Sequence, residues 1–305
     1  MVKHAQAGAL PRTDRHTYRV ESVASADAIR ALLEPRRLYA AYAIGQLDPD
    51  LVALVTCWRA VAVDGAGEAV AVFSRGGLGD ALFTMGESGA LQALLALHPG
   101  PRQNYVTCEP HHLDVVSGRF YVASERPMMR MTVTRDTFVP ADVPEAADVR
   151  YMGAGDARFL NRLYSSEGSP TYYSGGQIAQ GCYYGVLVDG RLVAVAGTHV
   201  VSAHEGIAVV GNVFTHPRWR GLGYAKLATS CTTAALLQKC RDVVLTVDPQ
   251  NTPAVRAYER LGYARGVRLI EAAVTRRDLL PFGSTLRRLR ARIRAHEGGV
   301  EVVSV

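Results

Sequence analysis

The chain has 305 residues, of which 48% are hydrophobic and 20% charged, a composition typical of a globular protein long enough for two domains. Its net charge is +6, and residues 276–305 hold seven arginines against three acids, so the tail carries most of the excess. This balance argues against a nucleic-acid-binding surface outside the tail. For the tail itself, a solvated helix is the simpler interpretation. There is no apolar signal segment and no run of about 18 apolar residues. We therefore expect a cytoplasmic protein that binds neither nucleic acid nor a membrane.

The five cysteines are odd in number and form no Cys-x-x-Cys pair. This spacing argues against a disulfide framework and against a zinc site. We expect no bound metal.

The first half of the chain interleaves strand and helix patterns. Residues 1–15 are polar and are predicted to be disordered. Strands are predicted at 18–22, 52–63, 69–73 and 128–134, with helices starting near Ser25 and over 88–97. Such alternation indicates an α/β or α+β architecture. The Pro-containing segment 136–150 lacks periodicity and is the predicted domain linker, which gives a first domain over 16–140.

The second half begins with a predicted strand at 149–152 and a helix over 155–164. Asp189-Gly190 separates two apolar strands, as in a two-residue hairpin. A strand over 207–214, a helix over 224–239, a strand over 242–247 and a short helix over 251–262 follow. The order strand, Gly-rich turn, helix around Gly221 and Gly223 is typical of a phosphate site, because it presents free backbone N–H groups at a helix N-terminus.

The second half resembles the GCN5-related N-acetyltransferase (GNAT) superfamily. Its pyrophosphate signature, Gln/Arg-x-x-Gly-x-Gly/Ala, is matched by Arg220-Gly221-Leu222-Gly223-Tyr224-Ala225. The downstream Asn…Tyr pair is matched by Asn251 and Tyr258. A third glycine of a dinucleotide fingerprint would fall at Lys226, so that rival motif is not matched. The resemblance covers 149–273 and implies two GNAT-like domains, each a mixed, mainly antiparallel sheet flanked by helices, followed by a basic tail or helix over 274–305.

The resemblance implies acetyl-CoA, or another acyl-CoA, as co-substrate. The backbone N–H groups from Gly221 to Lys226 would bind its pyrophosphate at the positive end of a helix. The free backbone of the preceding strand would hold the acyl arm and stabilise an oxyanion by about 3 kcal/mol per N–H donor. Asn251 would contact the pantetheine arm or cap its helix. The cofactor-binding residues implied are therefore Val213, Phe214, Thr215, Arg220, Gly221, Leu222, Gly223, Tyr224, Ala225, Lys226 and Asn251.

The resemblance also implies a general acid, Tyr258, which would protonate the departing thiolate; an aromatic packing role is the alternative. A general base is harder to identify, because residues 245–247 offer no glutamate on the strand before Asn251. Of the candidates His199, His204, Glu205 and His216, we select Glu205.

The polar segment 164–176 lies where relatives place an acceptor loop, so Glu167, Tyr172 and Tyr173 are predicted substrate contacts. In the first half, Arg75-Gly-Gly-Leu-Gly79 does not match the signature, and this half is predicted to be a degenerate GNAT-like domain. The resemblance to the FR47-like branch with such a partner domain implies an N-acyltransferase acting on a primary amine of a small molecule by direct attack. A monomer or homodimer is expected. The alternatives are a non-catalytic acyl-CoA-binding regulator and nucleic-acid binding through the tail.

Overall fold

The computed structural model describes residues 17–76, 79–145, 147–168, 172–278, 285–289 and 301–304. The strands are β1 (Thr17–Val23), β2 (Val55–Ala62), β3 (Glu68–Gly76), β4 (Gly79–Gly86), β5 (Gln103–Cys108), β6 (Phe120–Val133), β7 (Asp148–Tyr151), β8 (Tyr184–Val188), β9 (Arg191–Ser202), β10 (Ile207–Thr215), β11 (Asp242–Val247), β12 (Ala264–Arg276) and β13 (Glu301–Ser304). The helices are α1 (Ala26–Leu33), α2 (Ala41–Gly45), α3 (Ser88–Leu97), α4 (Leu113–Arg119), α5 (Ala157–Tyr164), α6 (Gly175–Gln180), α7 (Tyr224–Leu236) and α8 (Thr252–Glu259).

The predicted elements of the first half are present with shifted ends. Ser25 caps α1 by accepting a hydrogen bond from the N–H of Ala28, and α3 has the predicted bounds. The strand predicted from residue 52 begins at Val55, after a 3₁₀ turn. The strand predicted over 128–134 is the end of the longer β6. Strands β3 and β4 pair as an antiparallel hairpin up to the Gly76–Gly79 pair.

The second half follows the predicted order closely. Asp189 and Gly190 both have positive φ in the β8–β9 hairpin, and β11 has the predicted bounds. Helix α7 ends at Leu236, three residues before the predicted end. Gly262 has φ +86°, and a Cβ there would lie 1.8 Å from the carbonyl oxygen of Thr137. A larger residue at 262 would therefore displace the segment that links the two halves.

The thirteen strands of the described residues form one sheet in the order β13-β1-β2-β3-β4-β5-β12-β6-β11-β10-β9-β8-β7. Strand β6 of the first half pairs with β11 of the second, and β12 of the second half pairs with β5 of the first. Each half is therefore completed by the last strand of the other. The two GNAT-like halves predicted from the sequence share one continuous sheet.

Helix α2 of the first half packs on strands of the second. Ile44 of α2 is fully buried in a cluster with Val200 and Val209 of β9 and β10. A Cβ at Gly45 would lie 2.8 Å from a methyl carbon of Val200, so the small residues of α2 permit close contact with the sheet. This packing places the residues that follow α2 beside β9 and β10.

The C-terminal tail is described only in part. A helical turn spans 285–289, but Glu301–Ser304 form β13, which pairs antiparallel with β1. The prediction of a helix or tail over 274–305 is therefore wrong for this last segment, because the unpaired edge of β1 offers backbone partners for an added strand. The predicted disordered segment 1–15 lies outside the described residues. Within the described part of the chain, no helix has the length and apolar character needed to span a membrane.

Candidate functional site

A gap opens in the sheet between β10 and β11. The two strands pair in parallel from Ile207 to Val210, and no register partner on β11 follows Val210. Strand β10 continues to Thr215 along β9 alone. The β11-facing backbone beyond Val210 is thus without a strand partner. This is the geometry in which a thin, extended ligand can add to a strand edge.

A bulge in β10, on the side that pairs with β9, lies at this gap. Between the pairs Gly211–Gly197 and Phe214–Val195, β10 has two residues where β9 has one. One of the two, Asn212, has φ +54°, and its side chain bonds the hydroxyls of Tyr173 (2.7 Å) and Tyr183 (2.9 Å). These bonds hold the bulge in its left-handed conformation, which asparagine tolerates better than most residues.

The glycine turn after β10 leads into α7 with its N–H groups unoccupied. Gly221 and Gly223 have φ +80° and +84°, a region that strongly favours glycine. Gly223 is the N-cap and offers no capping side chain. Among the described residues, none accepts a hydrogen bond from the backbone N–H groups of residues 221–226. No atom lies within 4 Å of a Cβ built at either glycine, so the turn is open to an anion.

Arg220 ties this turn to the predicted acceptor loop. Its guanidinium lies 2.7 Å from a carboxylate oxygen of Glu167 and donates through Nε to the carbonyl oxygen of Thr215 at 3.3 Å. The Glu167 carboxylate is therefore paired with Arg220 beside the glycine turn and does not line the cavity described below. Leu222 lies between the two glycines and is exposed, and Tyr224 is the first residue of α7.

The equivalent place in the first half is closed by a carboxylate. Glu87 precedes α3 after β4, as the glycine turn precedes α7 after β10. Its side chain accepts hydrogen bonds from the N–H groups of Gly89 and Ala90, both at 2.7 Å. The anion position at the α3 N-terminus is therefore filled by the protein itself, which fits the expected loss of cofactor binding in this half.

A second carboxylate closes the gap between β4 and β5. Glu109 accepts from the N–H of Gly86 at 3.1 Å and is ion-paired with Arg36. Burial alone would raise the pKa of Glu109, but the hydrogen bonds from Arg36 and Gly86 lower it overall. His111 and His112 both form a hydrogen bond with the carbonyl oxygen of Gly86. Together with Glu109, they connect the end of β4 to the segment that follows β5.

The predicted acid and cap lie on α8. Tyr258 is 8% exposed, and burial raises its pKa to about 12. Its hydroxyl forms no hydrogen bond with the described residues and is not sealed from solvent. Asn251 caps α8 by accepting from the N–H of Ala254 at 3.3 Å, which is the capping role weighed for it from the sequence.

The structure does not bring Glu205 to the gap. Glu205 lies in the turn before Ile207, at the opposite end of β10 from Val213, about 20 Å away at roughly 3.3 Å per residue. Its carboxylate is 2% exposed and bonds Arg30 of α1 at 2.6 and 2.7 Å. This placement does not fit the expected role as base. His204 is beside Glu205, and His216 accepts from the N–H of Arg218 in its own turn.

His199 is the candidate base that does face the gap. It is the extra residue of β9 between the pairs Val200–Val209 and Thr198–Val210, and its ring borders a cavity. A Cβ at Gly211 would lie 2.0 Å from its Nε2, so the ring packs directly on the Cα of Gly211 where β10 leaves β11. His199 is exposed toward the cavity, but desolvation by the protein packed around its ring, and then the charge of Arg130, lower its pKa to about 4. The ring is therefore neutral near pH 7.

The cavity beside His199 has a volume of about 300 Å³ and lies between the two halves. Tyr173, one of the predicted substrate contacts, lines it and is buried, whereas Tyr172 is 77% exposed and does not. The sequence offered no sign of its other wall, because the first-half residues that form this wall reach the cavity only through tertiary packing. That wall includes Tyr42 of α2, the following residues Gln46, Asp48, Asp50 and Leu51, and Gly76 of β3.

Comparisons with known proteins agree with this geometry. Residues 157–263 match the family model of the acetyltransferase (GNAT) family. Over 81 residues the chain is 36% identical to a mycothiol acetyltransferase of Arthrobacter sp. (strain FB24), a stretch that spans 25% of this chain and 25% of that protein.

Solved structures share the fold. A protein of Drosophila has a TM-score of 0.60 at 13% identity, over 83% of this chain and 98% of that one. A tandem GNAT protein from the clavulanic acid biosynthesis pathway has a TM-score of 0.50 at 13% identity, over 84% and 98%. A GCN5-related N-acetyltransferase from Kribbella flavida has a TM-score of 0.50 at 20% identity, over 70% and 88%. Residues 157–263 are therefore similar to the acetyltransferase (GNAT) family, and the chain as a whole shares the fold of proteins that include a tandem GNAT protein.

Proposed function

We propose that this protein transfers an acyl group from an acyl-CoA, with acetyl-CoA as the first choice, to a primary amine of a small molecule by direct attack. One observation carries the proposal. The α7 N-terminus is open at the gap between β10 and β11, while the corresponding α3 N-terminus is filled by Glu87. Of these two helix N-termini, that of α7 is therefore the one open to a pyrophosphate, and it adjoins a strand edge that can hold an extended acyl arm.

In this proposal the residues act as follows. The N–H groups from Gly221 to Lys226 bind the pyrophosphate, and the backbone from Val213 to Thr215 orients the thioester carbonyl. Neutral His199 accepts a proton from the attacking nitrogen, which becomes acidic once the new C–N bond forms. Tyr258 donates a proton to the departing sulfur. The first half, 16–140, binds no cofactor and supplies one wall of the acceptor cavity.

The test is thiol release from acetyl-CoA with a panel of amino acids, polyamines and aminoglycosides. We expect release that depends on the amine and falls by about 10²-fold in Tyr258→Phe. Tyr151→Phe, at a tyrosine that is 51% exposed, is the matched control and should be unaffected. If acetyl-CoA binds but no amine releases thiol, the protein is a non-catalytic acyl-CoA-binding regulator instead.

A further inference from the structure

The cavity between the two halves has an unusual charge for this protein. The chain as a whole has 34 basic and 28 acidic residues. The described lining of the cavity includes Asp48 and Asp50 but no lysine or arginine. Within the described residues, no ion pair involves either carboxylate. A cavity of negative charge in a basic protein selects for a cationic ligand.

The orientation of Asp48 is fixed. Its Oδ2 accepts from the hydroxyl of Ser202 at 2.6 Å, and its Oδ1 accepts from the N–H of Asp50 at 3.2 Å. Ser202 belongs to β9 of the second half, so the carboxylate is held across the junction. Asp50 is exposed and its carboxylate has no hydrogen-bond partner among the described residues.

An independent sign of a ligand comes from Gln46. This residue is 4% exposed and lines the same cavity, yet its Oε1 is buried without any partner in the described part of the chain. The Oε1 of Gln46 and the hydroxyl oxygen of Tyr42 each lie 4.0 Å from the position of a Cβ built on Gly76. Tyr42 and Gly76 also line the cavity. A buried amide oxygen without a donor costs stability unless a ligand supplies one. An ammonium group has three such donors.

We infer that the acceptor is a small di- or polyamine whose second ammonium group binds at Asp48, Asp50 and Gln46, while its reacting amine lies at His199. This inference rests on the proposed function, because the proposed function is what places the reacting amine at His199. The two walls of the cavity then have separate tasks. The second half performs the transfer, and the first half selects the substrate by its distal charge.

The test compares acceptors of matched length. We would measure kcat/KM with acetyl-CoA for α,ω-diamines of three to six carbons and for the n-alkylamines in which a methyl group replaces one amino group. We expect at least one diamine to exceed its monoamine by about tenfold, because a charge-assisted bond is lost in the monoamine. Equal values for all the pairs would overturn the inference, even if the amines are acetylated.

Variants separate recognition from folding. Asp50→Asn should lower kcat/KM for the preferred diamine about tenfold and that for its monoamine less than twofold. Asp136→Asn, at an exposed aspartate outside the cavity, is the control and should change neither. An equal loss for both amines in Asp50→Asn would overturn the inference.

A binding measurement keeps the inference testable without turnover. Calorimetric titration with 1,5-diaminopentane in the presence of CoA should show binding that weakens in Asp50→Asn. If this holds while no amine releases thiol, the cation site stands and the proposed transfer fails. If none of the diamines binds more tightly than its monoamine, the cation site fails.

Discussion

Glu205 of the second half bonds Arg30 of the first at 2.6 and 2.7 Å, and this pair joins α1 to the start of β10. Arg37 adds to the junction by bonding the backbone oxygen of Glu205 and the carboxylate of Asp242. The carboxylate of Glu205 is buried, so the loss of its charge leaves Arg30 without its main partner. Glu205 therefore stabilises the contact between the two halves.

Glu205→Gln is expected to lower the free energy of unfolding by about 1–3 kcal/mol, the usual contribution of hydrogen bonds to charged groups. The kcat of the folded variant should be unchanged. Glu259→Gln, which disrupts an exposed pair with Arg265, should cost under about 1 kcal/mol. Urea denaturation and initial rates check both variants. A hundredfold loss of kcat in folded Glu205→Gln would return the base role to Glu205.

His199→Gln is expected to show the opposite result. Because the ring is open to the cavity and forms no hydrogen bond with the described residues, its loss should affect unfolding little. We expect kcat to fall by about 10²-fold, with the KM for acetyl-CoA within twofold of wild type. Unchanged kcat in this variant would exclude His199 as the base.

The same residue predicts a pH profile. A histidine with a pKa of about 4 is neutral throughout the range from pH 5 to 9, and it loses its ability to accept a proton only as the pH falls through 4. The kcat profile should therefore show no inflection near 6.5, the ordinary histidine pKa. An acid limb centred near 6.5 that disappears in His199→Gln would contradict the lowered pKa.

Glu87→Ala tests the closed half. The carboxylate caps α3 through two N–H groups, so its removal should cost about 1 kcal/mol of stability. Binding of acetyl-CoA at the second half should not change, because Glu87 lies at the other helix N-terminus. Thermal unfolding and calorimetry check the two outcomes. A weaker affinity in this variant would show that the two halves are coupled.

The sequence predicted those parts of the fold that depend on local signals. Helix α3 and strand β11 have the predicted bounds, because their apolar periodicity is continuous and their ends carry turn or capping residues. The glycine turn was also predictable, since Gly221 and Gly223 occupy backbone conformations that strongly favour glycine. The roles of Gly223 and Tyr258 in binding and transfer stay predictions.

The exchange of β6 and β12 could not be predicted, because pairing between distant strands leaves no local pattern. The selection of Glu205 as a base from the sequence failed to fit the structure for the same reason. Its partner Arg30 is 175 residues away along the chain, so a sequence pattern could not separate an ion pair from a free base. The cavity wall at Asp48 and Asp50 likewise depends on how α2 packs on β9 and β10.

The most direct test of the central claim is a calorimetric titration of acetyl-CoA into wild-type protein, Gly223→Glu and Gly65→Glu. Gly65 is the matched control because it also has a positive φ, +77°, with no atom within 4 Å of a Cβ. Either glutamate should cost about 1–2 kcal/mol of backbone strain. Only Gly223→Glu, which adds a negative charge at the α7 N-terminus, should abolish binding, while wild type and Gly65→Glu bind one acetyl-CoA per chain. Two sites per chain, or unchanged affinity in Gly223→Glu, would contradict the account.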